Sequence, residues 1–195
     1  AVVAENKPAP KISKAEPKQN PKISHSSAKN LHWTQMSDEQ MREIYGNYSR
    51  DITKPYSGSA EDLNKYLKGK GVLSEQGQAF IDAQNKYGIS AAVLAGIAIS
   101  ESGGTSSLAR KRFNVTSISS SRGWRRFNNV SECIDYTASM LANRYVKNSG
   151  SGVSLKTLYQ INAKYCPVSD TRNNSSNNRF WAQNVENKVR EIEKA

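Results

Sequence analysis

Histidine and cysteine are scarce in this chain of 195 residues, with two of each. His25 falls in a Lys/Pro-rich tail and His32 at its edge, so no His-x-x-x-His pair is available for zinc. The same scarcity removes Ser-His-Asp and Cys-His catalysis. Cys133 and Cys166 fit no metal spacing and read either as one disulfide of an extracytoplasmic protein or as two thiols. No apolar run reaches membrane-spanning length, and no Gly-rich phosphate loop follows a strand, which disfavours nucleotide hydrolysis. Acidic residues are missing from one long stretch, Gly103 to Val130, altogether. There is no initiator methionine and no signal peptide. A chain beginning at Ala1 reads as a mature or truncated form, with an export signal or membrane anchor having room to precede it.

Positive charge, in contrast, is plentiful. The net charge is +11 and the pI about 9.7, which points to a polyanionic partner. Nucleic acid, an anionic membrane and a cell wall all satisfy that requirement. With 36% hydrophobic residues, the chain can build a core of about 150 residues but not one along its whole length. The dispensable part is the beginning. Pro8, Pro10, Pro17 and Pro21 favour extended backbone, and Lys7, Lys11, Lys14, Lys18, Lys22 and Lys29 repel one another. Residues 1–35 are expected to be a disordered basic linker and residues 36–195 one domain, with no internal repeat.

Within that domain the pattern is helical. Ser37 with Gln40 reads as a capping box opening a helix to about Tyr48, and Ser59 with Asp62 opens a second carrying Leu63, Tyr66 and Leu67. Ser74 is expected to cap a helix from Glu75 to Tyr87, stopped by Gly88. Ser131 is expected to cap one from Glu132 to about Lys147, Ser154 to begin another, and a last one starts near Asn177 with Trp181, Val185, Val189 and Ile192 on one stripe. Phe113–Ile118 and Trp124–Phe127 read as short strands of a hairpin within a basic loop containing Arg110, Lys111, Arg112, Arg122, Arg125 and Arg126. That loop, with Phe113, Trp124 and Phe127 interleaved, is either a solvated positive surface anchored by its aromatics or one wall of a groove for an anionic polymer, with an aromatic to stack on a sugar or base. The fold class is mainly α with one small β hairpin.

The stretch around which the rest is organised is Ser90 to Ala109. Ala91 to Ile99 is almost wholly apolar, so a helix there is buried on most sides, and Gly103-Gly104 stops it. One carboxylate, Glu101, stands just before the stop, flanked by Ser100 and Ser102. Desolvation and the negative end of the helix dipole both favour its protonated form, which suits a general acid. Spacing alone equally allows Glu101 to turn into solvent. Helix-turn-helix DNA binding is the main non-enzymatic rival, although the positive charge gathers in a loop and a tail rather than on one recognition helix.

The run Leu94-Ala95-Gly96-Ile97-Ala98-Ile99-Ser100-Glu101-Ser102-Gly103-Gly104-Thr105-Ser106-Ser107-Leu108-Ala109 resembles the signature of bacterial glucosaminidases, glycoside hydrolase family 73. The likeness continues in order through Phe113-Asn114-Val115-Thr116-Ser117-Ile118, the segment Trp124 to Tyr136, and Tyr165-Cys166-Pro167-Val168-Ser169-Asp170 followed by Asn178 and Trp181. Gly77 to Ile89 also matches, so the resemblance covers roughly Ser59 to Ile192.

It implies a lysozyme-like α fold that hydrolyses the β-1,4 bond after N-acetylglucosamine in peptidoglycan without metal or organic cofactor. Glu101 takes the general-acid position and Tyr165 that of the active-site tyrosine. Ser102, Phe113, Asn114, Ile118, Trp124, Arg125, Asp170 and Trp181 are the expected substrate-binding residues. Many members carry a second carboxylate in the hairpin. This chain has none there, and Glu132 and Asp135 are the nearest. A substrate-assisted route and a lytic transglycosylase reaction therefore stay open, although the Gly-Leu-Met-Gln element of those lyases is absent. The implied partners are glycan strands and anionic wall polymers, with no nucleic acid, for a monomer acting outside the membrane or carried in a phage virion. A membrane-protein regulator is also left open.

Overall fold

The computed structural model describes residues 30–169 and 175–195; most of the expected linker, and Asp170, lie outside them. The order of elements is α1 (Asp38–Tyr45), α2 (Ala60–Leu67), α3 (Gly77–Tyr87), α4 (Ala91–Ser102), α5 (Ser107–Arg112), β1 (Ser119–Ser120), β2 (Gly123–Trp124), α6 (Val130–Leu141), α7 (Leu158–Tyr165) and α8 (Trp181–Lys194). A π turn, Ala142–Lys147, prolongs α6, and a 3-10 turn, Ser175–Phe180, leads into α8.

Local chemistry explains the helix starts. Ser37 with Gln40 and Ser59 with Asp62 form reciprocal capping boxes on α1 and α2. The start of α3 differs from expectation. Glu75 takes φ +63 and the helix begins at Gly77, whose N–H donates to Asn64 Oδ1 of α2 at 2.7 Å. Asn129, not Ser131, caps α6, accepting from the N–H of Glu132. Residues 153–157 do not join α7: Leu155 N–H donates to the Tyr145 carbonyl, and the helix starts after Thr157. Trp33, assigned to the linker by composition, is 8% exposed, and the Lys164 ammonium lies 5.4 Å from its ring centre. Trp33 therefore packs with the domain.

The apolar helix α4 is the centre of the packing. Every residue from Ala91 to Ala98 is buried. Helix α8 lies closest to it, where Gly96 meets Val185 and Val189. A Cβ on Gly96 would stand 3.0 Å from Val189 Cγ2 and 3.2 Å from the Val185 carbonyl, so only glycine permits this approach without movement of α8. The stripe Trp181, Val185, Val189 and Ile192 faces inward as its spacing predicts.

Polar bonds fix α8 at both ends. The fully buried Asn162 of α7 donates to the carbonyls of Cys166 (3.0 Å) and Asn178 (2.9 Å) and accepts from Ala182 N–H (3.0 Å). Further along, Arg50 forks onto Glu186 (2.6 and 3.0 Å) and Glu193 (2.7 and 3.1 Å). Glu186 is 6% exposed, and such a buried carboxylate is tolerated because two arginines, Arg50 and Arg190, meet it.

The hairpin is shorter than expected. Only Ser119↔Trp124 and Ser120↔Gly123 pair, and the residues read as a first strand, Phe113–Ile118, form an irregular loop. The helix α5 was not foreseen. Ser106 caps it, and Phe113 ends it in the left-handed conformation at φ +52. Cys133 and Cys166 are not bridged, and Cys133 Sγ lies 3.4 Å from Thr116 Oγ1. Among the described residues no helix is long and apolar enough to cross a membrane.

The α4–α8 contact is testable at Gly96. Gly96→Val should overpack it and lower unfolding stability by about 1–3 kcal/mol, measured by urea denaturation. Unchanged stability would mean that the two helices do not approach closely there.

Candidate active site

Glu101 occupies the last turn of α4, where the buried helix reaches the surface. The chain must reverse immediately afterwards. Gly103 closes the helix in the left-handed conformation, its N–H donating to Ile99 O at 2.9 Å. Gly104, at φ +74, passes so close to the Lys70 carbonyl that any Cβ would collide with it. Ser102 is used in the same reversal, donating to Ala98 O at 2.9 Å and accepting from Gly104 N–H at 3.1 Å. These two bonds make it part of the helix stop.

Three side chains surround the carboxylate. Trp181 Nε1 donates to Glu101 Oε1 at 2.9 Å. Tyr165 stacks beside that indole, with ring centres 5.1 Å apart, and its hydroxyl donates to Thr116 O at 2.9 Å. Ser117, the next residue, also hydrogen-bonds Glu101. Burial pushes the Glu101 carboxyl above the ordinary carboxylate range, and the two hydrogen bonds offset only part of that. Burial, and next the Glu101 carboxylate, hold the Tyr165 hydroxyl well above its ordinary value. The tyrosine therefore stays protonated and cannot serve as a base at neutral pH. A raised carboxyl pKa costs about 1.4 kcal/mol per unit at neutral pH. Burying each large apolar side chain of α4 contributes about 1.5–3 kcal/mol, so the helix readily draws the carboxylate in with it.

The loop carrying Ser117 is held from beneath. Asn114 is fully buried and uses its whole amide on backbone. Nδ2 donates to Ile118 O (2.8 Å) and Arg125 O (2.9 Å), while Oδ1 accepts from Ile118 N–H (2.9 Å). Ser117 sits within this clasp at φ +56, a conformation that costs a non-glycine residue energy and persists only where its surroundings impose it.

The residues expected to contact substrate differ in their exposure. Asn114, with every polar atom engaged in the interior, is a positioning residue. Ile118, 6% exposed, packs in the core, and Trp181, also 6% exposed, donates to Glu101. Phe113 is half-buried at the end of α5. Trp124, 49% exposed, and Arg125, exposed with its guanidinium 4.3 Å from the Tyr136 ring centre, remain open to a ligand. Asp170 lies outside the described residues.

Sequence reasoning missed Ser117, Thr116 and Asn162, whose parts depend on contacts with residues far along the chain. Neither candidate second carboxylate is turned to Glu101. Glu132 accepts from Asn128 N–H at the start of α6, and Asp135 binds Lys86 Nζ (2.9 Å) and Tyr87 OH (2.8 Å). Among the described residues no group of three or more His, Cys, Asp or Glu could hold a metal ion. Concavities of about 360 Å³ beside Arg50 and about 440 Å³ beside Tyr56 lie away from Glu101.

Two predictions follow from the carboxyl environment. Because the folded pKa of Glu101 exceeds the unfolded value near 4.5, the native state binds the extra proton between the two. Its stabilising contribution is thus present below the unfolded pKa and lost as pH rises through the folded one. Glu101→Gln, which cannot ionise, should gain stability over the wild type as pH rises across that window, measured by thermal unfolding from pH 4 to 8. A constant difference would place the carboxyl in water. Trp181→Phe removes a donor to the carboxylate, so the Glu101 pKa should rise further in a ¹³C-carboxyl NMR titration; a fall would contradict the bond.

Known proteins sharing this sequence and geometry are consistent with one another. The glucosaminidase family profile, described as mannosyl-glycoprotein endo-beta-N-acetylglucosaminidase, matches residues 77–194. The bifunctional autolysin of Staphylococcus epidermidis is 37% identical over 102 residues, and that of Staphylococcus aureus 34% over the same length. Each alignment covers 51% of this chain but only 8% of the relative. A catalytic glutamate-to-alanine mutant of S. aureus autolysin E, in complex with the disaccharide NAG-NAM, superposes with a TM-score of 0.63 at 22% identity. That match covers 82% of this chain and 79% of the other. The major bifunctional autolysin structure gives 0.51 at 27% identity, covering 79% and 74%. The fold is the lysozyme-like α fold of these domains, and with more than half of its length matched by the profile, the chain belongs to the glucosaminidase family of glycoside hydrolases.

Proposed function

We propose that this chain hydrolyses peptidoglycan at the β-1,4 bond between N-acetylglucosamine and N-acetylmuramic acid, with Glu101 as the general acid. The observation that carries the reading is the desolvated Glu101 carboxyl, held by Trp181 at the end of α4. Supporting it are the family and the autolysin relatives, one of them a structure with NAG-NAM bound. On this reading the protein works on the wall, outside the membrane.

Glu101 donates its proton to the glycosidic oxygen as the bond to the N-acetylglucosamine anomeric carbon breaks. With Glu132 and Asp135 engaged elsewhere, the 2-acetamido oxygen of the same sugar attacks that carbon and forms a cyclic oxazolinium ion. Water then opens this ion while the Glu101 carboxylate takes the water's proton, which restores the acid. The protonated Tyr165 hydroxyl orients the sugar or the water. Trp124 offers a ring face to a sugar, and Arg125 a positive charge to a carboxylate.

A lytic transglycosylase reaction is the second reading, favoured by the same want of a second carboxylate at Glu101. Mass spectrometry of borohydride-reduced peptidoglycan digests separates the two. Reduced N-acetylglucosamine ends are expected, falling by about 10²–10⁴-fold with Glu101→Gln. Anhydro-muramyl ends would establish the lyase, and reduced muramic acid ends would overturn the choice of bond.

A further inference from the structure

Most cations on α1, α3 and α8, and Arg50 in the loop after α1, have carboxylate partners: Arg42 with Asp38, Arg50 with Glu186 and Glu193, Lys86 with Asp135, Lys188 with Glu191 and Arg190 with Glu186. The surface around Trp124 differs from these helices. Arg110, Lys111, Arg112, Arg122, Arg125 and Arg126 are all exposed, and the sequence supplies no acidic residue between Ser102 and Ser131 to neutralise them. Their hydrogen bonds within the described residues go to carbonyls, which leave the charge intact. Arg112 Nη1 donates to Trp124 O at 2.9 Å and Arg126 Nη1 to Lys111 O at 2.8 Å, while Phe127 N–H donates to Arg112 O at 2.9 Å. These three bonds lace the last turn of α5 to β2 and the residues after it, so two basic runs distant in sequence stand side by side. Trp124 is exposed between them.

The chemistry of the partner can be read from the kind and number of cations. Five of the six are arginines, whose planar forks bind phosphate oxygens in pairs. One or two carboxylates of a peptide stem could not satisfy so many charges, whereas a chain of repeated phosphates could. Position matters as well. Asn114 bonds both Ile118 and Arg125, so the basic surface continues from the loop that carries Ser117 to Glu101.

Resting on the proposed wall-hydrolase reading, we infer that this face binds a polyol chain linked by phosphodiesters, running beside the glycan. Binding there holds the enzyme on the wall and raises its local concentration at the bonds it cuts. The interaction needs no ordered pocket, since exposed guanidinium groups exchange along a repeating anion, and it weakens with salt.

The test uses Arg110→Gln, Lys111→Gln and Arg122→Gln combined, because these side chains make no hydrogen bond within the described residues and lie outside the machinery around Glu101. Poly(glycerol phosphate) is the probe, followed by isothermal titration at 50 and 200 mM salt. The wild type and Glu101→Gln should bind it alike, and the triple variant about tenfold or more weakly at the lower salt. Hydrolysis of walls bearing the polymer should fall in the triple variant, while walls stripped of phosphate are cut at the wild-type rate. Unchanged binding by the triple variant would overturn the inference. Tighter binding of single-stranded DNA with the same number of phosphates would overturn it in favour of nucleic acid. Loss of hydrolysis on stripped walls by the wild type itself would count against the catalytic reading and leave the binding result standing.

Discussion

From Ala91 to Ala98 helix α4 presents no side to water. Its residues from Ala91 to Ala98 are buried without interruption, so neighbouring helices must close around it, and α8 approaches it at Gly96 more tightly than a side chain there would allow without a small shift. This requirement accounts for much else in the domain. The Arg50 fork and the Asn162 carboxamide fix the two ends of α8, one beyond the site and one beside it. An amphipathic helix could have been covered from one face. An apolar one demands enclosure, and its final turn is then carried into a desolvated place together with whatever side chain it bears.

That side chain is Glu101, and its environment combines opposing effects. Burial favours the protonated form needed for proton donation, while the Trp181 and Ser117 hydrogen bonds keep the ionised form accessible. A general acid that must later act as a base needs both forms within reach of ambient pH. The neighbouring Tyr165 is protonated throughout and contributes shape and a hydrogen-bonding oxygen, not a charge. The chain belongs to a glycoside hydrolase family, and few polar groups surround this carboxyl.

What could be read in advance was the chemistry that acts over a few residues. The Ser37–Gln40 and Ser59–Asp62 boxes, the Gly88 and Gly103 stops and the inward stripe of α8 follow from neighbours three or four positions apart. Helix α5 was hidden because its run of Arg and Lys resembles a loop and its stop is Phe113 rather than glycine. At the site, Glu101 stood out as the only carboxylate at the end of an apolar helix. The use of Trp181, Asn114 and Ser102 was not legible, because a residue type that can touch a sugar can equally hold a backbone. Only the three-dimensional partner decides between the two, as when the Asn114 amide is consumed by Ile118 and Arg125.

The bond from Trp181 to Glu101 joins residues 80 positions apart. During synthesis the acid therefore leaves the ribosome well before the indole that holds it. At the elongation rates of about 5–20 residues per second typical of cells, that interval lasts several seconds. Through it α4 lacks its nearest cover, Val185 and Val189, and the carboxyl lacks its donor. The core and the surroundings of Glu101 are completed by the same late helix. In a nascent chain that is still incomplete, the carboxyl and the apolar helix that bears it therefore stand without the contacts that desolvate and hold them.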